Sequence, residues 1–344
     1  MTNPRVAVVI LNWNGRSFLE KFLPSVLENS PGWAELVIAD NASTDDSIAF
    51  LSAWYPELRL IQLDKNLGYA GGYNAALEKI KADYYVLLNS DIEVPPNWIE
   101  PVIHYMEAHP QVAAAQPKIL SWQQRTHFEY AGASGGFLDV LAYPFCRGRV
   151  FGRLEEDCGQ YNETVNVLWA TGACLFVRAS AFGEVGGFDA RFFAHMEEID
   201  LCWRLQNKGW EIAVVPAAEV YHVGGGTLPK SSPFKTFLNF RNSLWLLAKN
   251  LPARYFYPLL PVRLGLDIVA ATKFLLSGHF ADAWAVCKAH LAFFIHFREM
   301  RRHRIATTES LPAGIYKGSI AFSHFIRRKA TYLDLNQARF SRKK

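Results

Sequence analysis

The sequence predicts an α/β protein with a mostly parallel central sheet and flanking helices, followed by a basic helical C-terminal region. Three observations carry the prediction. Short apolar runs alternate with helical patterns through the first 120 residues, the arrangement of a parallel sheet whose crossovers are helices. The chain has 344 residues, half of them apolar and one fifth charged, which is enough to bury a sizeable core and excludes a disordered or collagen-like chain. Charge is divided along the chain. Residues 1–229 carry 16 Lys and Arg against 27 Asp and Glu, whereas residues 230–344 carry 20 against 5, so an acidic body precedes a basic tail.

Taken in order, the strands expected from short apolar runs are Arg5–Leu11, Leu36–Asp40, Arg59–Leu63, Tyr84–Asn89 and Val112–Gln116. Between them, helical spacing predicts Ser17–Asn29, Asp45–Tyr55, Gly72–Lys81 and Asn97–Ala108. Ser43 or Thr44 is the expected cap of the second helix, with Asp45 and Asp46 where the helix dipole favours anions. From Lys118 to Asn166 periodicity fails and glycine, aromatic and arginine residues dominate, so an irregular excursion is expected there, of the kind that often contacts substrate. Pattern resumes with a strand at Ala173–Val177, a helix at Glu197–Asn207 and a strand at Glu211–Val215. Composition turns basic and aromatic after Pro233, which sets the expected division at 1–232 and 233–344.

The five cysteines are scattered, with no C-x-x-C pair, which suits a reducing compartment. The apolar run Val6–Leu11 is too short and too early for a signal-peptide core, so the catalytic part is expected in the cytoplasm. The most apolar stretch, Tyr255 to Leu276, is interrupted by Arg263, Asp267 and Lys273 and is not expected to span a membrane.

In open α/β sheets ligands bind beyond the carboxyl ends of the strands. Here those ends read Asn12-Trp13-Asn14-Gly15, Asp40-Asn41-Ala42-Ser43, Asn66-Leu67-Gly68 and Asn89-Ser90-Asp91. A lone Asp at a strand end is usually a turn residue; four successive polar ends point to a site. A nucleotide diphosphate entering such an acidic crevice needs an intervening divalent cation, and Mg²⁺ or Mn²⁺ takes oxygen ligands of this kind, with Asp91 the leading candidate. Neither a P-loop nor a G-x-G-x-x-G fingerprint follows the first strand. A second cluster, Glu197-Glu198-Ile199-Asp200, opens a helix. It reads either as an acidic first turn that complements the dipole or as crowded carboxylates whose raised pKa suits a general base. Arg204 is placed to pair with Asp200 one helical turn on. His222, followed by three glycines, is a candidate metal ligand.

These motifs carry a resemblance. Val8 to Asn14, Ile38 to Asp45, Asn66 to Asn74, Leu87 to Asp91 and Gly186 to Leu201 together resemble family 2 glycosyltransferases of the GT-A fold, with the rhamnosyltransferase-like bacterial branch the nearest in pattern. The resemblance spans about residues 5–245. It implies a nucleotide-diphosphate sugar donor, a divalent metal and inversion at the anomeric carbon. Asp40 resembles the carboxylate that reads the nucleotide base. Asn89-Ser90-Asp91 resembles a D-x-D motif in which Asn replaces the first Asp and Asp91 contacts the metal. Glu198 stands at the position of the catalytic base, and His222 resembles a histidine of the metal or diphosphate shell. The implied substrate-binding set is Asn12, Asp40, Asn66, Gly68, Asn89, Asp91, Glu197 and Asp200.

In the tail, Phe237, Leu238, Leu244 and Trp245, then Phe280, Trp284, Cys287, Leu291, Phe294 and Ile295, recur at helical spacing beside Arg298, Arg301, Arg302 and Arg304. Such a face either lies on an anionic membrane, where a lipid-linked glycan acceptor would be met, or is the core of a helical subdomain. No nucleic-acid-binding motif accompanies the charge, and nucleic acid is not an expected partner. Two competing functions remain: a nucleotidyltransferase that makes nucleotide sugars, and a catalytically silent glycan- or membrane-binding protein of the same fold.

Overall fold

A computed structural model describes residues 4–224, 232–302 and 310–342. Strand and helix alternate through the first third as β1 (Val6–Asn12), α1 (Arg16–Asn29), β2 (Ala34–Asp40), α2 (Ser47–Trp54), β3 (Arg59–Gln62), α3 (Gly68–Leu77), β4 (Tyr84–Asn89), β5 (Ile92–Glu93), α4 (Glu100–Ala108) and β6 (Val112–Ser121). Most follow the predicted elements, but α3 starts at Gly68 and ends at Leu77 rather than spanning Gly72–Lys81, β6 continues past Gln116 to Ser121, and β5 is not among the expected elements. The expected cap of α2 is corrected. Neither Ser43 nor Thr44 caps it; Asp45 Oδ1 accepts from the Ser47 amide at 3.1 Å, while Ser43 is engaged with Asp40.

After β6 the chain forms β7 (Gly136–Asp139), β8 (Pro144–Cys146), β9 (Arg149–Val150), β10 (Arg153–Leu154), β11 (Val165–Asn166), β12 (Cys174–Arg178), α5 (Ala179–Glu184), α6 (Glu197–Asn207) and β13 (Glu211–His222). The central sheet has the order β11-β13-β6-β12-β4-β1-β2-β3, with β5 paired to β13. Its β3-β2-β1-β4 half is parallel, and β12 enters antiparallel between β4 and β6. Strand β13 runs seven residues beyond the predicted end. A register shift between Val215 and Glu219, at Pro216, interrupts its apolar pattern, and pairing then resumes as far as His222 against Ser121.

The excursion expected to be irregular contains a small sheet of order β10-β9-β8-β7-β14, whose last strand, β14 (Ile315–Tyr316), comes from the tail and pairs in parallel with β7. Strands of two to four residues are too short to show a period of two. Close approach explains one of the glycines. A Cβ at Gly136 would lie 2.0 Å from the Trp169 indole, whose N–H donates to the Phe137 carbonyl at 3.0 Å. Gly136→Ala is therefore expected to destabilise the protein by about 1–3 kcal/mol or more in denaturant titration.

The tail forms α7 (Pro233–Asn250), α8 (Ala253–Leu276) and α9 (Phe280–Arg302). Trp245, Leu247, Phe256, Phe293 and Ile315 share one apolar core with Tyr73, Phe192 and Leu205 of the preceding region. The predicted tail face is split. Leu238, Leu244 and Trp245 are buried, whereas Phe280, Trp284, Leu291, Phe294 and Ile295 are exposed. Among the described residues no helix is long and apolar enough to cross a membrane.

Candidate active site

Parallel register brings the strand tips together, with Asn12 opposite Asp40 and Leu11 opposite Asn89. Asn12 Nδ2 donates to Asp40 Oδ1 at 3.0 Å and to Ser43 Oγ at 3.1 Å, and Ser43 donates to both Asp40 oxygens through its amide (2.8 Å) and hydroxyl (2.5 Å). Next to them, Asn41, which the sequence did not single out, clamps the third tip. Its Nδ2 donates to Asn66 Oδ1 and to the Gly68 carbonyl, both at 3.0 Å, and its Oδ1 accepts from the Leu67 amide. Gly68 has a positive φ of 70°, and a Cβ there would meet the Phe193 carbonyl at 2.5 Å, so the close packing at this tip requires glycine.

A cavity of about 400 Å³ opens over these tips. Of the predicted residues, Asn66, Gly68, Asn89, Asp91, Glu197, Glu198 and His222 line it; Asn12, Asp40 and Asp200 are buried behind its wall. A second cavity of about 540 Å³, lined by Arg147, Tyr161, Trp210 and Tyr332 among others, contains none of them.

On one wall His222 sits between two carboxylates, its Nε2 3.2 Å from Asp91 Oδ1 and its Nδ1 3.1 Å from Glu129 Oε2. Burial opposes charge on the ring, but the two carboxylates outweigh it and push His222 up to about 10, so it is protonated at neutral pH. Burial raises the Glu129 carboxyl, and His222 with the Tyr130 and Ala131 amides brings it below its usual range. Among the described residues no group of three or more His, Cys, Asp or Glu side chains is arranged to chelate a metal. Asp91 supplies one carboxylate on the cavity wall, of the kind Mg²⁺ uses when substrate phosphates complete its shell, and His222 beside it becomes a second donor only once it loses its proton.

The start of α6 forms another part of the cavity lining. Phe193, His195 and Met196 all have positive φ, of 66°, 68° and 72°, an arrangement costly for side-chain-bearing residues. Asn242 on α7 pins the turn, its Nδ2 donating to the carbonyls of Phe192 (2.9 Å), Ala194 (2.9 Å) and His195 (2.7 Å). The turn delivers Glu197 and Glu198 to the cavity. Burial, and then the neighbouring Glu198, raises Glu197 well above the carboxylate range; burial raises Glu198 to about 7, with backbone amides holding it from going higher. One oxygen of each, together with His195 Nε2, is buried without a hydrogen-bond partner among the described residues. His195 is pushed down to about 4 by burial and then by Lys235, and is neutral. A carboxyl group poised to ionise near neutrality and facing an open cavity is equipped to take a proton.

Asp200 has another part. Arg204 Nε (2.7 Å), Lys249 Nζ (2.8 Å) and Asn250 Nδ2 (2.8 Å) all reach it, and Lys249 also bridges to Asp189 at 2.7 Å. Burial raises Asp200, but Lys249 and Arg204 overcome that and keep it ionised. The Arg204 pair follows from helical spacing; Lys249 and Asn250 arrive from the tail. Lys249→Met removes one cation from two buried carboxylates, leaving Asp200 with Arg204 and Asn250 and Asp189 with Arg191, and is expected to cost about 1–3 kcal/mol of stability in chemical denaturation.

The family model described as Glycosyl transferase family 2 matches residues 7–174. N-acetylglucosaminyl-diphospho-decaprenol L-rhamnosyltransferase of Mycobacterium tuberculosis is 30% identical over 233 residues, 62% of this chain and 75% of that protein. The chain belongs to glycosyltransferase family 2. This glycosyltransferase is also similar to the O-antigen biosynthesis protein RfbC of Myxococcus xanthus, at 25% identity over 64% of the chain and 17% of RfbC. Two solved glycosyltransferases share its GT-A fold. GalNAc-T7, solved with UDP, GalNAc and Mn²⁺, has a TM-score of 0.58 at 18% identity, covering 86% of this glycosyltransferase and 58% of that chain. The mannosyltransferase PcManGT of Pyrobaculum calidifontis, solved with GDP-Man and Mn²⁺, has a TM-score of 0.51 at 17% identity, covering 88% and 84%.

Proposed function

We propose that this glycosyltransferase inverts configuration as it moves a sugar from a nucleotide-diphosphate donor to a hydroxyl of a glycan or lipid-linked glycan. The observation that carries the reading is that Glu198, with one oxygen unpartnered among the described residues and a pKa near neutrality, lines the same cavity as the Asp91–His222 pair. Rhamnose is the proposed sugar because a rhamnosyltransferase is the relative that matches at 30% identity.

In the proposed reaction the acceptor oxygen attacks the anomeric carbon and its proton passes to Glu198. The bond from that carbon to the diphosphate oxygen breaks, and the electron pair leaves with the nucleoside diphosphate. Protonated His222 is placed to offset charge on the departing phosphates. Asp91 would hold a Mg²⁺ or Mn²⁺ ion, which when bound neutralises diphosphate charge, and His222 would join that shell only as the neutral imidazole, after giving up the proton it holds between Asp91 and Glu129. Asp40, buried with its carboxylate held by Asn12 and Ser43, is proposed to shape the base-binding end of the site from behind the cavity wall; Asn66, Gly68 and Asn89 border the donor, and Glu197 sets the field around Glu198. Asp200 acts indirectly, by anchoring α6. The reaction is proposed to take place in the cytoplasm, at the membrane face where a lipid-linked acceptor is presented.

The test is a panel of nucleotide sugars incubated with the protein, with and without Mn²⁺ or Mg²⁺. Nucleoside diphosphate release that depends on the cation, greatest with one donor, is expected. Pyrophosphate release would instead identify a nucleotidyltransferase, and absence of turnover across the panel a binding protein.

A further inference from the structure

We infer that α8, α9 and the segment Phe322–Ile326 form one platform that seats this enzyme in the headgroup layer of an anionic bilayer. The inference deepens the proposed encounter with a lipid-linked acceptor and rests on that reading only for the platform's use.

The charges that interrupt α8 point into the protein. Arg263 pairs with Asp267 at 2.9 Å and donates to the Leu141 carbonyl and to Ser243 Oγ, both at 2.7 Å, while Asp267 also meets His290 of α9 at 3.2 Å. With those groups buried, the outward side of α8 between residues 255 and 271 exposes no charged residue, and Tyr257, Val262, Ile268 and Val269 stand in solvent. Helix α9 repeats the arrangement. Ala283, Val286, Ala289 and Phe293 pack inward, while Phe280, Trp284, Leu291 and Ile295 form an outward stripe, Trp284 64% and Ile295 66% exposed. Phe322, Phe325 and Ile326 expose further apolar side chains. The Phe325 ring lies 5.0 Å from that of Phe151, Phe151 neighbours Tyr143 at 6.1 Å, and the Tyr143 hydroxyl donates to Asp267 at 3.4 Å, so two intervening rings link this segment to α8. An apolar surface of this extent marks an interaction site, and helices apolar on one side and too polar to span lie in the membrane plane.

Charge selects the occupant. Exposed Lys273, Lys288, Arg298 and Arg302 accompany the two helices, and Arg327 and Arg328 follow Ile326. A second copy of the chain would bring like charges together around the apolar patch, whereas anionic headgroups complement them. Aromatic side chains such as Trp284 and Tyr257 suit the boundary between headgroups and acyl chains.

The test is co-sedimentation of the full chain with vesicles of phosphatidylcholine, alone or mixed with phosphatidylglycerol. Binding is expected only to the mixed vesicles, weakening as salt rises. The triple variant Trp284→Ser, Leu291→Ser, Ile295→Ser is expected to lose at least about tenfold in vesicle affinity, and Arg327→Glu with Arg328→Glu to lose the phosphatidylglycerol preference. Both variants are expected to release nucleoside diphosphate from donor in solution as the unchanged enzyme does, which separates this surface from the transfer chemistry. Equal pelleting with neutral vesicles, no pelleting, or a concentration-dependent dimer abolished by the triple variant with vesicle binding untouched would overturn the platform.

Discussion

Glu198→Gln is expected to lower the transfer rate by about 10²–10⁴-fold while donor affinity stays near that of the unchanged enzyme, because the amide keeps the shape of the side chain and loses only its capacity to take a proton. Single-turnover transfer alongside calorimetric donor titration reads the two effects separately. The unchanged enzyme should gain rate as pH rises through about 7, where Glu198 ionises, and the variant should show no such rise. Stability supplies a check that needs no substrate. Folding raises the Glu198 pKa, so the stability it contributes is fully present below the unfolded carboxyl value and is lost as pH rises towards about 7. Glu198→Gln is therefore expected to be more stable than the unchanged protein at pH 8, by about 2 kcal/mol, with the difference shrinking towards pH 4. Equal donor-dependent turnover by the variant would remove Glu198 as the base.

Asp91→Ala is the second large effect. The carboxylate stands at the tip of β4, on the cavity wall, 3.2 Å from His222 Nε2. Its removal takes away the carboxylate proposed to hold the cation and leaves His222 paired with Glu129 alone among the two carboxylates that flank it. Donor binding to the unchanged enzyme should tighten on addition of Mn²⁺, and the variant should lose that response, with turnover down about 10²–10³-fold. Titration of a nucleoside diphosphate with and without the cation measures it. A variant that keeps the full Mn²⁺ response would place the cation elsewhere.

Much of this arrangement is legible in the residues because the strand tips are local. In a parallel sheet each apolar run ends on the same side, so the polar groups after Leu11, Ala39 and Leu88 fall together once the register is set. The acidic start of α6 and its Arg204 pair are legible for a similar reason, since helical spacing fixes both. What stays hidden is supplied from far along the chain. Glu129 lies 93 residues before the histidine it contacts, in a stretch without periodicity. Lys249 and Asn242 are about 50 residues from the groups they hold. The bulge at Pro216 conceals that the strand expected to stop at Val215 carries His222 to the sheet's edge of action. The tail face is ambiguous in sequence because an inward and an outward apolar stripe on α9 have the same composition; only packing separates Phe293 from Phe294.

The pairing of β14 with β7 has a consequence for biogenesis. The Ile320 amide that donates to Asp139 belongs to a residue translated 181 positions later, and β7 lacks this neighbour until then. A ribosome-bound intermediate thus carries an open β edge and an unfinished apolar interior around Phe137 and Phe145 for most of its synthesis, a stage at which chaperones and proteases have their best access. Premature stop codons between Lys235 and Ile315 should for that reason yield aggregated or degraded chains, even though every residue lining the candidate-site cavity has already been made.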